Sequence, residues 1–183
     1  MPRLLAVCAV AELRPDSGSL GVTAIDKRPL EGAVRVGPYG VRGDVQASRK
    51  HHGGLEQAVY AYAQEDADFW AAELGRDLPA GFFGENLRTE GFDVNAAVVG
   101  ERWRVGDTVE LEVTSPRTPC QVFARWVGGP HARDWVRRFS DERRLGPYLR
   151  VRRSGEVRAG DPIEIVHRPE GAPTVLSLYR MPA

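Results

Sequence analysis

Short apolar runs, cut apart by glycine and proline, dominate the chain. Residues 4–10 (LLAVCAV) are continuously apolar, as expected of a strand buried on both faces. GVTAIDKRP (21–29) and AVRVG (33–37) follow as short strand candidates among the breakers Pro29, Gly32, Gly37, Pro38, Gly40 and Gly43. AVYAY (58–62) is rich in strand formers. The period then changes. Ala67, Trp70, Ala71 and Leu74 recur at spacings of three and four, which predicts an amphipathic helix over Gln64–Leu74, stopped by Gly75.

Further along, GFFGENLRT (81–89) reads as a glycine-hinged loop running into a strand. Residues 100–114 predict a hairpin, with ERWRV and TVELEVT on either side of Gly106-Asp107. HARDWVRRF (131–139) predicts a short helix carrying Trp135 and Phe139 one turn apart. YLRVRR and DPIEIVH are strand-like again. The sum is mainly β with helical insertions. Many short, closely spaced strands favour a partly or fully closed β-barrel over an alternating βαβ sheet. The expected organisation is one barrel domain over residues 1–168 and a tail, 169–183. That tail begins a helix near Thr174, packs on the domain and stops short of a further helical extension.

Composition narrows the function classes. Of the 183 residues, 42% are hydrophobic and 27% charged, which excludes a disordered chain. A formal net charge of zero gives nonspecific nucleic-acid binding no electrostatic support. No run approaches the roughly 18 apolar residues that span a bilayer, so no membrane partner is expected. MPRLLAVCAVAEL lacks the long apolar region and cleavage site of a secretory signal. Two cysteines, Cys8 and Cys120, are too few for a disulfide framework. The expectation is a cytoplasmic protein. Charge is uneven, however. Residues 101–183 carry 15 Lys+Arg against 11 Asp+Glu, and residues 1–100 carry 10 against 14. The basic excess, all Arg, is either a solvated face or a site for a small anion.

Cys120, in TSPRTPCQ, is the leading chemical candidate. It follows a predicted strand stiffened at its exit by Pro116 and Pro119, with Arg117 three residues away. Nearby positive charge favours a thiolate, which can act as nucleophile, carry sulfane sulfur or bind a soft metal. The alternative is a small buried hydrophobe, the expected state of Cys8. In KHHGGLEQ, His51 and His52 would point to opposite faces of a strand and are poor joint ligands. Gly53 and Gly54 allow a backbone cradle for an anion or carbonyl, or a simple turn. Glu85 and Asn86 could orient a ligand or serve as turn polar groups. Asp44, Tyr148 and Arg150 are weaker candidates. No HExxH, CxxC, GxGxxG or phosphate-binding loop occurs.

In order, VRGD (41–44), HHGG (51–54), AVYAY (58–62), FGENL (83–87), PRTPC (116–120), GPYLRV (146–151) and GDPIEI (160–165) resemble the molybdenum-cofactor-sulfurase C-terminal (MOSC) domain family. Within that family the chain looks like the small stand-alone bacterial proteins linked to resistance against N-hydroxylated purines. The match runs from about residue 20 to residue 167. The resemblance implies a β-barrel and a role with the molybdenum cofactor (molybdopterin). It makes Cys120 the ligand to molybdenum, or a carrier of sulfur. By charge and motif position, Arg117 and Arg150 become candidates for the pterin phosphate, with His52, Gly53, Gly54 and Asn86 also facing the cofactor.

Three functions follow. The first is a reductase of small N-hydroxylated compounds, fed by a separate electron-donating reductase, since no flavin or iron–sulfur motif is visible. The second is a non-catalytic persulfide or cofactor carrier. The third is a cysteine hydrolase or transferase with His52 as base, which needs His52 within hydrogen-bond reach of Cys120.

Overall fold

The first strand, β1 (Arg3–Val10), pairs antiparallel with β8 (Leu87–Glu90) and, through its second half, with β4 (Lys27–Pro29). These strands belong to a computed structural model that describes residues 1–46 and 53–180. The remaining large-sheet strands are β7 (Val59–Ala63), β9 (Arg102–Val105), β10 (Val109–Pro116), β11 (Pro147–Arg153) and β13 (Ile163–His167). Their order is β13-β9-β10-β11-β7-β8-β1-β4. Every pairing is antiparallel except β7 with β8. That exception follows from the connection, because α1 (Gln64–Leu74) carries the chain from one strand to the other as a crossover. Gly75 ends α1 in the left-handed region, at φ 63°, as its position in the sequence requires.

Of the partly or fully closed barrel expected, the mainly β architecture is observed, but no full closure among the described residues. The eight-stranded ladder is open, with β4 and β13 at its edges. Among the described residues the start of β1, beyond its pairing with β4, meets the approach to β13 at one bridge, Arg3 to Pro162, and at backbone bonds such as Leu4 N to Asp161 O (2.9 Å) and Ile163 N to Pro2 O (3.0 Å). A three-stranded sheet of β5 (Val34–Gly37), β6 (Gly40–Val41) and β12 (Gly155–Val157) lies beside it. A small hairpin joins β2 (Arg14–Pro15) to β3 (Val22–Thr23). The fold is thus mainly β, with four α-helices among the described residues.

Alternation along β7 divides the interior in two. Val59, Ala61 and Ala63 enter an aliphatic core with Leu4, Val7, Leu111 and Leu149. Tyr60 and Tyr62 point to the opposite face, into an aromatic core under the helices. There Trp70 of α1 stacks on Phe139 of α3 (Trp135–Glu142), with ring centroids 5.5 Å apart. Phe123 of α2 (Gln121–Val127) meets Phe139 edge-on at 5.1 Å. Trp135 and Phe139 share one buried face, as their spacing predicts, although the helix starts four residues later than the predicted segment. The tail ends in α4 (Val175–Leu178), capped by the Thr174 hydroxyl and docked by Val175 N on Ala97 O (2.8 Å).

Candidate functional site

The end of β10 and the start of α2 build the inner end of a cavity of about 150 Å³. Arg117 leaves the strand with its N–H on Gly146 O (3.0 Å). Cys120 sits at the N-cap of α2, its carbonyl accepting from Ala124 N (3.1 Å). Its side chain is partly exposed and lines the cavity. Cys120 and Arg117, singled out in the sequence, therefore share one hollow.

Arg117 is only 7% exposed. Its guanidinium lies over Phe123 at 4.4 Å and over Tyr60 at 5.6 Å. Among the described residues its side chain makes one long hydrogen bond, Nη1 to Thr118 O at 3.4 Å, and no ion pair with a carboxylate. Burial works against its charge. Coulombic contact with Tyr60, Tyr148 and Cys120 outweighs that and leaves its pKa above the ordinary arginine value. Burial also pushes the Tyr60 and Tyr148 phenols upward, so both are neutral near pH 7. Arg117 is thus a buried cation with no described carboxylate as ion-pair partner.

The opposite wall comes from the β2–β3 hairpin. Arg125 of α2 grips Asp16 through Nε (2.8 Å) and Nη2 (2.6 Å), which holds that carboxyl below the usual range. Arg14 stacks over Trp126 at 5.5 Å. The hairpin is laid across α2 in this way, bringing Leu20, Val22 and Ile25 to the cavity. Leu20 and Val22 remain largely exposed at its mouth.

Asp44 organises the third side. Its carboxylate accepts from Val10 N (3.0 Å), Lys27 Nζ (2.7 Å) and Asn86 Nδ2 (2.7 Å). Asn86 also donates to Cys8 O (3.2 Å), and its Oδ1 accepts from Tyr60 N (3.1 Å). It reaches the cavity wall but is fully committed to joining β1, β7 and the Asp44 loop, so it is a pin and not a spare donor. Glu85 is buried completely, accepting from Gly81 N, Phe83 N and Arg88 Nε. It folds the FFGE loop and lies outside the cavity lining.

Arg150 is not part of this hollow. It is held by Glu112 (2.5 Å) and Glu56 (2.9 Å) on the sheet surface. Much of the basic excess is spent likewise: Arg144 on Asp66, Arg138 on Glu73, Arg152 on Glu112. Gly54 is fastened beside the cavity, its N–H on Gln46 Oε1 (2.9 Å). Gly53 and Gly54 are not among the lining residues, and His51 and His52 lie outside the described residues. Cys8 is sealed in β1, and burial, reinforced by the charge of Glu85, pushes its thiol up to about 12. It is not joined to Cys120.

Lys27 and Tyr60 were missed by the sequence reading. Each sat inside a strand-like run whose only visible signal was β-propensity. Among the described residues no group of three or more His, Cys, Asp or Glu converges as a metal site. No described helix is long and apolar enough to cross a membrane.

Comparisons bear on this hollow. A model of the MOSC domain matches residues 48–164. The chain is 34% identical over 148 residues to YflK of Bacillus subtilis, covering 81% of this chain and 65% of that protein. It is 33% identical over 174 residues to a protein of Gibberella moniliformis named "Reductase", spanning 92% of this chain but 30% of that one. It therefore spans less than two thirds of either relative. The crystal structure of YiiM from Geobacillus stearothermophilus superposes with a TM-score of 0.76 at 25% identity, over 97% of this chain and 81% of that one.

Proposed function

The chain belongs to the MOSC domain family, and on that premise we propose that it is a cytoplasmic reductase of N-hydroxylated compounds. In this reading it binds a molybdenum cofactor through Cys120 and takes electrons from a separate reductase. The observation that carries this is the pairing, in one hollow, of a partly exposed thiol with a buried cation that no described carboxylate pairs with.

The residues fit the group. A thiolate is a soft ligand suited to a thiophilic metal. An anionic sulfur-rich centre gains from the buried charge of Arg117. When bound, the cofactor supplies the two-electron chemistry. The chain's own residues do the rest. Pro116 and Pro119 stiffen the loop between Arg117 and Cys120, so the sulfur is held in place. The rings of Tyr60 and Tyr148, 5.4 Å apart, narrow the inner end and exclude water. Leu20, Val22 and Ile25 offer an apolar wall to the body of a substrate. In the net reaction the N–O bond breaks and the oxygen leaves as water, consuming two electrons from the partner and two protons from solvent. The reductase name of the fungal relative and the larger size of that protein agree with such a role.

The test is metal analysis together with activity. Protein from a host that makes the cofactor should contain near-stoichiometric molybdenum and reduce hydroxylaminopurine when a reductase is supplied. Cys120→Ser should lose both. Full activity in that variant overturns the proposal. So does a stable gain of about 32 Da on Cys120 without reductase activity, which would make the chain a sulfur carrier.

A further inference from the structure

The cavity that would hold the cofactor is about 150 Å³, roughly the space that one benzene ring fills. A pterin is itself a fused double ring, and the cofactor adds sulfurs, a metal and a phosphate. A wall must therefore move to admit it. Most walls are fixed. Tyr60 and Tyr148 stand on the paired strands β7 and β11. Asp44 and Asn86 are tied to β1, β7 and Lys27 by hydrogen bonds. Arg117 is buried against Phe123.

The hairpin of β2 and β3 is different. Its strands pair only with each other. Among the described residues no backbone–backbone bond ties 12–24 to the rest of the fold; those present are internal, such as Asp16 N to Gly21 O (3.0 Å). Its base is pinned where Ala11 N meets Asp26 O (2.9 Å), just before β4 joins β1. It is clasped to α2 by Asp16 on Arg125 (2.8 and 2.6 Å) and by Arg14 over Trp126. Leu20 and Val22 are already 57% and 44% exposed, so lifting the arm uncovers little apolar surface, whereas Ile25, 8% exposed, stays with the base. Few apolar contacts and few backbone bonds mark the part of a structure that opens at least cost.

We propose that the β2–β3 hairpin is a flap, hinged at Ala11–Asp26 and latched by Asp16 on Arg125, which lifts from α2 to admit the cofactor beside Cys120 and closes over it. The proposed function supplies what enters; the opening of the flap is tested without it.

The test uses the full chain from a host that does not make the cofactor, so that Cys120 carries no metal, while Cys8 is sealed in the core. Labelling of Cys120 by a compact reagent, iodoacetamide, is compared with labelling by a maleimide on a polymer chain. Asp16→Asn and Arg125→Gln should each raise the ratio of polymer to iodoacetamide rates about fivefold, the upper worth of a partly exposed ion pair. The two changes act on the thiol's charge in opposite senses, since Asp16 opposes a thiolate and Arg125 favours one. Only an opening flap moves the ratio the same way in both. Arg104→Gln, which breaks a pair with Glu164 on the sheet surface, should leave the ratio within about twofold. Hydrogen exchange read by mass spectrometry should quicken over 12–25 in both latch variants, with β7 and β11 unchanged. Loading the unmodified protein with cofactor should slow it there. A ratio that stays unchanged in either latch variant overturns the proposal. So does faster exchange throughout β7 and β11, which is unfolding and not a flap. Equal exchange over 12–25 in loaded and empty protein overturns closure over the cofactor. Should no molybdenum bind, the proposed function fails, and the labelling ratio still decides whether the hairpin opens.

Discussion

Replacing Asp44 by Ala should cost far more than a surface carboxylate would. The side chains of Lys27 and Asp44 are 11% and 9% exposed, so the substitution strands an ammonium in a largely dry place. Breaking a buried pair from one side costs about 3–5 kcal/mol. Two further donors, Val10 N and Asn86 Nδ2, lose an acceptor, and the second still reaches Cys8 O. The cavity lets some water in, which favours the lower end, about 3 kcal/mol in all. For a chain of this size that is a fall in Tm of about 6–12 °C. In a Lys27→Met background no cation is stranded. There Asp44→Ala should cost only about 1–1.5 kcal/mol, the worth of the lost backbone and amide bonds. Urea denaturation of the four proteins followed by circular dichroism gives the coupling directly. A cost below about 1 kcal/mol for the single change, or an equal cost in both backgrounds, refutes the claim that Asp44 works chiefly by holding Lys27.

Gly146→Ala should be severe, by about 3 kcal/mol or more. The residue has φ +69°, and a Cβ there would lie 2.3 Å from Ala61 O; near-normal denaturation of the variant would contradict this packing. Thiol alkylation should separate the cysteines. At pH 8 the folded protein should take one label, on Cys120, because Cys8 is sealed and its thiol, at about 12, stays protonated. Peptide mapping that finds Cys8 labelled before unfolding would show that β1 opens.

Legibility in the sequence depended on how local the cause was. The helix over Gln64–Leu74 and its stop at Gly75 follow from spacing and from one left-handed residue, and both were readable. So was the hairpin around Gly106-Asp107. The helix Gln121–Val127 was not foreseen, because QVFARWV is too short for a period to emerge and starts from a cysteine and not a capping hydroxyl. At the site, Cys120 and Arg117 were legible because two prolines and their nearness in sequence marked them. Asn86 and Arg150 looked available, yet each is consumed by partners distant in sequence: Asp44 and Cys8 for one, Glu112 and Glu56 for the other. Lys27 gave no sign at all, since its role depends on an aspartate 17 positions away. Side-chain commitments of this kind are set by tertiary contacts, which a single sequence does not display.

The meeting of Leu4 with Gly160 and Asp161 sets a schedule for folding. The strand made first cannot satisfy its lower backbone groups until some 150 further residues have left the ribosome. Its second half can pair early with Lys27–Pro29, but its partner at Leu87–Glu90 is also far along the chain. Pairings this remote pay their loop-closure entropy late and slow the search. At about 5–20 residues per second of synthesis, the first half of this apolar segment stays unpaired for seconds, and it is where a chaperone would be expected to hold the growing chain.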